Sequence, residues 1–220
     1  MARQARSEAT RRKILDAAVE LFSEVGFAAT GLGDIIERAE LTKGALYYHF
    51  DSKQSLASAI IAESAGIVFE TFSTICASSS PAMENVIHSS FALAGIATTD
   101  PMVHTATQLA RALGEFNDAA AQSYQSALGL VANQLAEASA DGDLRAGLSP
   151  DAVAETLLSA YLGAELITGP RGNATDLISR LTRIWGIMLP AIAAEDALPF
   201  LTEYLSREAL RHSRITLSLD

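Results

Sequence analysis

The side chains best equipped for chemistry are four histidines and one cysteine, and their placement argues against most of it. His49, His88, His104 and His212 are not read as paired with an acid at metal-ligand spacing. No G-x-S-x-G nucleophile turn occurs, nor a glycine loop that would cradle phosphates. Asp141-Gly142-Asp143 reads as a turn without the further acidic ligands of a calcium loop. Cys76 is the single cysteine, so an internal disulfide is impossible and a reducing cytoplasm is the natural compartment. Its setting at a mixed polar and apolar helix end fits a buried, inert thiol. The expectation is therefore no catalytic residue, no metal and no cofactor. What remains is one dense stretch, Asp34 to Phe50, DIIERAELTKGALYYHF. There Lys43, Tyr47, Tyr48 and His49 bring a cation, two phenols and an imidazole together.

Two short helices around a tight turn would position those groups. Ile35, Ile36 and Ala39 fall on one apolar face at helical spacing. Glu40-Leu41 makes the turn, and Thr42 stands where a helix N-cap belongs. Lys43 to His49 is then the second helix, with Ala45, Leu46 and Phe50 inward and Lys43, Gly44, Tyr47, Tyr48 and His49 outward. Such an outward face suits phosphates and base edges in a major groove better than it suits water.

Earlier in the chain, about Ser7 to Val25 reads as a helix with the stripe Ile14, Leu15, Ala18, Leu21 and Phe22. Gly26 ends it, Phe27 tucks back against the stripe, and Thr30 or Gly31 starts the next helix. Asp51 and Gln54 are spaced as a capping box for a fourth helix reaching about Ala77, with Leu56, Ile60, Ile61, Ile67, Val68 and Phe72 buried. Ser78-Ser79-Ser80-Pro81 is a break. Apolar-periodic segments follow at about Ala82 to Ala97, Pro101 to Leu113 and Glu115 to Ser139. Ser149-Pro150-Asp151 opens a helix to about Thr168, and Gly169 to Asn173 is a loop. Thr175 to Ala194 and Asp196 to Arg211 complete about ten helices. A composition rich in Ala, Leu and Ile, with few aromatics and few prolines, agrees with an all-α fold. The arginine-bearing N-terminus has no apolar run behind it and does not read as a signal peptide. The nearest approach to a membrane span, Leu157 to Ile167, is broken by Glu165, so no membrane partner is expected.

The net charge of −10 argues against nucleic acid until its distribution is considered. Up to Lys53 there are eight basic and eight acidic residues; beyond it there are eight basic and eighteen acidic. The first thirteen residues hold Arg3, Arg6, Arg11, Arg12 and Lys13 against Glu8 alone. A basic arm ahead of an acidic body fits a molecule that grips DNA at one end. A solvated, frayed terminus is the plainer alternative.

Phe22 and Gly26, Ile35, Thr42-Lys43-Gly44, Leu46-Tyr47, His49-Phe50, Lys53 and Leu56 resemble the N-terminal signature of the TetR family of transcriptional regulators. The resemblance implies an N-terminal three-helix helix-turn-helix DNA-binding domain at 1–53. It also implies a larger helical-bundle domain for ligand binding and dimerisation at 54–212; the tail at 213–220 is expected to be loosely held as a chain terminus. Tyr47, His49 and Lys53 match the family's phosphate-contacting positions. By residue type, Thr42 seats a phosphate at a helix terminus, Lys43 reaches a phosphate or guanine edge, Gly44 lets the backbone approach, and Tyr48 packs on a thymine methyl or sugar. Any one of these residues alone would read as an ordinary surface or half-buried side chain. A single helix reads few base pairs, so a homodimer on a pseudo-palindromic double-stranded operator is expected.

Beyond the first domain, apolar helix faces carry scattered polar groups: His104, Thr105, Gln108, Tyr124, Thr156, Tyr161 and Trp185. That is the lining expected of an apolar pocket with a few orienting donors, or else a plain helical core. Asp143-Leu144-Arg145, Ser149 to Ala154, Tyr161-Leu162-Gly163, Trp185 and Leu189-Pro190, with the opening Met1-Ala2-Arg3-Gln4, are similar to the γ-butyrolactone receptor branch. The branch implies a repressor released by a small lactone-like apolar signal; among the polar groups just named, His104, Gln108, Tyr124, Thr156 and Trp185 are the candidate ligand contacts. Tyr124 stands where the branch usually has tryptophan, and the loop at Gly114 to Asp118 is short. Helices at about Ser149 to Thr168 and Thr175 to Ala194 correspond to the family's four-helix dimer interface. The rival readings are a regulator sensing another apolar compound, such as a drug or acyl metabolite, and a non-regulatory helical binding protein or enzyme.

Overall fold

The structure, a computed structural model, describes residues 2–77, 81–113, 117–169 and 174–217. Among them lie ten helices: α1 (Ala2–Val25), α2 (Leu32–Arg38), α3 (Lys43–His49), α4 (Lys53–Cys76), α5 (Ala82–Thr99), α6 (Pro101–Leu113), α7 (Asp118–Asp141), α8 (Pro150–Thr168), α9 (Ala174–Ile192) and α10 (Leu198–Leu217). The expected all-α class is what the chain adopts. It folds as two compact units, one of residues 1–66 and 100–123, the other of 67–99 and 124–220. The first unit thus takes in α6 and the start of α7 as well as α1 to α3. The loop residues expected at 78–80, 114–116 and 170–173, and the last residues 218–220, lie outside the described residues.

In the first unit, the stripe of α1 is buried as its spacing demands. Ile14, Leu15 and Ala18 are fully inside, with Leu21 and Phe22 nearly so. Ile35 of α2, Leu46 of α3 and Leu56 and Ile60 of α4 are also fully buried. Gly26 takes a φ of 88°, the left-handed region where a glycine has no Cβ to clash, and its N–H donates to the Phe22 carbonyl to end α1. Phe27 then packs edge-on against Phe22, ring centroids 5.2 Å apart. Gly31 caps α2, its N–H donating to the Asp34 carboxylate at 2.7 Å. Arg38 at the end of α2 reaches back to Glu20 and Glu24 of α1 at 3.0 and 2.9 Å. Glu40 makes the turn into α3 at a φ of 53°, uncommon for a residue with a side chain.

Several expectations are corrected here. Helix α1 begins at Ala2 instead of about Ser7, so the basic N-terminal stretch is helical, and Arg11 and Arg12 within it both pair with Glu63 of α4, Arg12 at 2.7 Å. The cap of α4 lies one residue on from the expected Asp51–Gln54 box. Ser52 and Ser55 exchange bonds instead, the Ser55 N–H donating to Ser52 Oγ at 3.0 Å and the Ser52 N–H to Ser55 Oγ at 3.2 Å. Asp51 accepts from the Ser52 hydroxyl, and serine hydroxyls at Ser55 and Ser52 hold its carboxyl below the usual range. Ile67 and Val68 are only half-buried, whereas Leu56, Ile60, Ile61 and Phe72 lie inside as expected. α4, not Leu157 to Ile167, is the helix long and apolar enough to cross a bilayer among the described residues.

The second unit is a bundle of α5, the remainder of α7, and α8 to α10. Its core runs through Met83, Ile87 and Phe91 of α5, Leu135 of α7, Leu157 of α8, Leu177, Leu181 and Trp185 of α9, and Leu201 of α10. Ser149 caps α8 by accepting from the Ala152 N–H, with Pro150 in the first turn where its missing donor costs nothing. The Asp143-Leu144-Arg145 and Leu189-Pro190 motifs prove to be one structural joint. The Arg145 N–H donates to Ile192 O at 2.7 Å, the Ala194 N–H to Asp143 O at 2.8 Å, and Arg145 Nη2 to Pro190 O at 2.6 Å. The Arg145 guanidinium thus satisfies a carbonyl in the last turn of α9. α10 continues to Leu217, through residues expected to be loosely held.

Candidate nucleic-acid interface

The α3 helix has the bounds its sequence dictates. The Thr42 hydroxyl accepts from the Ala45 N–H at 3.2 Å, and the Phe50 N–H closes the last turn on Leu46 O. Leu46 and Phe50 anchor the inner face at 0% and 5% exposure. Opposite them, Thr42, Lys43 and Gly44 are exposed, Tyr47 and Tyr48 are 46% and 75% exposed, and His49 is half-buried. Two exposed tyrosines on one helix form a surface of flat apolar faces with polar rims. Lys43 Nζ lies 5.7 Å from the Tyr47 ring centroid, and His49 meets Tyr48 edge-on at 4.9 Å. A cation, hydroxyls and a glycine therefore share one projecting face. At Gly44 an added Cβ would meet nothing within 4 Å, and φ is not in the left-handed region. The fold itself does not require glycine there.

Lys53 is placed differently from the other six. Its ammonium donates to Phe27 O at 2.6 Å, Thr30 O at 2.8 Å and Ala28 O at 3.4 Å, and sits 4.5 Å from the Phe27 ring centroid. Its three donors are directed at the α1–α2 turn, so the side chain stabilises the start of the helix-turn-helix from within. The lysine's type was legible as basic, but its partners are carbonyls, which leave no trace in a sequence.

The ligand-site residues expected from the sequence divide between the two units. In the first, His104 and Gln108 face each other along α6, nitrogen to nitrogen at 2.7 Å, and the neighbouring Thr105 hydroxyl is buried without a hydrogen-bond partner. In the second, Tyr124 is half-buried. Trp185 is 3% exposed, and its indole N–H donates to Ser90 Oγ of α5 at 2.8 Å, so its ring is core packing with its polar atom satisfied. Thr156 is corrected out of the interior of its unit: it is exposed and its hydroxyl donates to Ala152 O at 2.7 Å. Ser89 of α5, which nothing in the sequence singles out, has a second buried hydroxyl without a partner. Cys76 is half-buried instead of fully buried; what burial it has raises its thiol to about 11, with the Glu137 charge adding to it, which keeps the thiolate scarce.

The histidine reading is corrected as well. Glu208 and His212 stand one turn apart on α10, and His88 of α5 meets the same carboxylate, at 3.3 Å and 2.5 Å from Glu208 Oε2. The sequence contained the Glu208–His212 spacing; the 120-residue separation of His88 hid the rest.

Comparison with known proteins agrees with this geometry. Residues 14–60 match the family model described as bacterial regulatory proteins, tetR family, and residues 79–194 match the tetracyclin repressor-like C-terminal domain. The A-factor receptor protein of Streptomyces griseus is 28% identical over 203 residues, covering 88% of this chain and 67% of that protein. The TylP regulator from Streptomyces fradiae is similar across 98% of this chain and 93% of its own, with a TM-score of 0.70 and 28% identity. CprB of Streptomyces coelicolor, solved in complex with its operator sequence, is similar in fold over 97% of this chain and 99% of its own, with a TM-score of 0.72 and 24% identity. With its helix-turn-helix and most of its C-terminal domain both matched, the chain belongs to the TetR family of bacterial regulatory proteins.

Proposed function

We propose that this regulator is a cytoplasmic repressor that binds a pseudo-palindromic operator as a homodimer and leaves it on binding a small apolar signal of γ-butyrolactone type. The observation that carries the proposal is the projecting face of α3, where Lys43, Gly44, Tyr47 and Tyr48 stand exposed on a helix anchored by Leu46 and Phe50. In this reading Lys43 contacts a guanine edge or phosphate, Thr42 and His49 contact the backbone, and Gly44 allows close approach. The A-factor receptor and the operator-bound CprB support it as relatives in sequence and in fold. For the dimer, Leu166 and Ile167 of α8 and Ile187 of α9 expose 64%, 67% and 77% of their surface, an apolar face that a second copy would cover. For the signal, the His104–Gln108 pair and the buried Thr105 hydroxyl of α6 supply polar groups on a helix whose Met102, Val103, Ala106 and Leu109 are buried.

Release follows from a population shift. The signal lowers operator affinity only to the extent that it binds the non-binding conformation more tightly than the binding one. The test is titration of the protein against labelled DNA from upstream of its own gene, at fixed salt, with and without an organic extract of the source culture. Tight binding that extract abolishes is the expected result. Binding to this fragment and to other candidate operators no tighter than to random DNA would overturn the reading.

A further inference from the structure

His88, Glu208 and His212 form a cluster that DNA reading and signal binding do not use. Their ligand atoms all lie within 4.8 Å of one another, in the interior of the second unit. Glu208 and His212 share a face of α10 because four residues separate them. His88 comes from α5, and Phe91, further along that helix, stacks on the His212 ring at a centroid distance of 5.9 Å and an inclination of 25°. The side chains of Glu208, His212 and His88 are 8%, 12% and 23% exposed. The Arg211 guanidinium stands 3.6 Å from the other carboxylate oxygen of Glu208, which leaves Oε2 directed at the two rings.

We infer that His88, Glu208 and His212 bind a divalent transition-metal ion of the zinc type, fastening α10 to α5. Two imidazole nitrogens and one carboxylate oxygen are a ligand set that zinc takes at about 2.0–2.2 Å each. Tetrahedral ligands at that radius stand roughly 3.3–3.5 Å apart. His212 stands at that spacing from Glu208 Oε2, at 3.3 Å, while His88, at 2.5 Å, would have to draw back by about 1 Å to admit the ion. Nitrogen ligands exclude magnesium and calcium, which select all-oxygen sites. Arg211 would act as the outer partner that orients the carboxylate. Three protein ligands leave a fourth position for water. Glu84, one turn before His88 on α5 and 8% exposed, is a second buried carboxylate whose charge is felt with that of Glu208, partly offset by Arg207.

The test uses the full chain without an affinity tag, stripped with chelator and dialysed against Zn²⁺. One zinc per chain is expected, with a rise in Tm of about 5–10 °C at a hundredfold excess over Kd. Glu208→Gln and His212→Gln should each weaken zinc binding at least tenfold while leaving the helical circular dichroism unchanged. If either variant fails to fold, a measurement on the wild type decides. Zinc should protect His88 and His212 from diethyl pyrocarbonate, mapped by mass spectrometry, while His49 continues to react. No zinc retained by the wild type, unaltered affinity in both folded variants, equal protection of His49, or a Tm rise with Mg²⁺ equal to that with Zn²⁺ would each overturn the assignment.

Discussion

Lys53 and Gly44 make opposite demands on the same surface. The three carbonyl partners of Lys53 are lost together in Lys53→Met, while the aliphatic stem that covers Phe27 is kept. Lys53→Met should lower stability by about 1–3 kcal/mol, read from urea unfolding. It should leave the salt slope of operator binding as in the wild type, whereas Lys43→Met should reduce that slope by about 1. A slope lowered equally by both would place Lys53 on a phosphate. Gly44→Ala reverses the pattern. Its Cβ meets nothing in the protein, and alanine gains up to about 1 kcal/mol of helix propensity, so stability should hold or rise. Operator affinity should nevertheless fall tenfold or more if the duplex backbone lies against that point. Cys76 provides a third reading. With the thiol at about 11 instead of 9, its thiolate fraction at pH 8 is about a hundredfold smaller. Iodoacetamide should therefore label native protein far more slowly than urea-unfolded protein at that pH.

At the level of elements, α3 was legible almost completely. Thr42 as cap, Leu46 and Phe50 inward, and Tyr47 and Tyr48 outward all follow from local spacing, and local spacing is what a sequence displays. The bounds of α6 and α8 and the Ser149–Pro150 start follow for the same reason. What was not legible depends on long-range partners. The engagement of Arg11 and Arg12 with Glu63, 52 and 51 residues away, is such a partnership, and it takes up two of the cations counted in the basic N-terminal stretch. The carbonyl partners of Lys53 are invisible for the same reason, as is the approach of α5 to α10 at His88 and Glu208. Thr156 was misjudged because periodicity alone does not say which face of a mixed helix meets its neighbours. The most stringent elementary test is Leu46→Ala. Leu46 is fully buried, so its loss should cost about 2–5 kcal/mol and abolish operator binding along with the fold of the first unit. Thr42→Ala should cost only about 0.5–2 kcal/mol.

For the whole molecule, the exposed apolar residues of α8 and α9 and the charge balance matter most. Paired Leu166→Glu and Ile187→Glu substitutions put charge on that face, and sedimentation should then show a monomer with weakened operator binding. A dimer undisturbed by both would place the interface elsewhere. The charge balance is shaped by internal pairing. Arg11, Arg12 and Arg38 face carboxylates and Lys53 faces carbonyls, in a chain whose net charge is −10. Among the described residues of the first unit, that pairing takes up four of its cations and leaves fewer to meet phosphates indiscriminately. Non-specific attachment, which is almost wholly electrostatic, should be weak, and with it sliding along the duplex. Such a protein would search by repeated collision from solution. The rest of the chromosome would be a poor decoy, and operator occupancy would follow copy number closely even when only a few dimers are present.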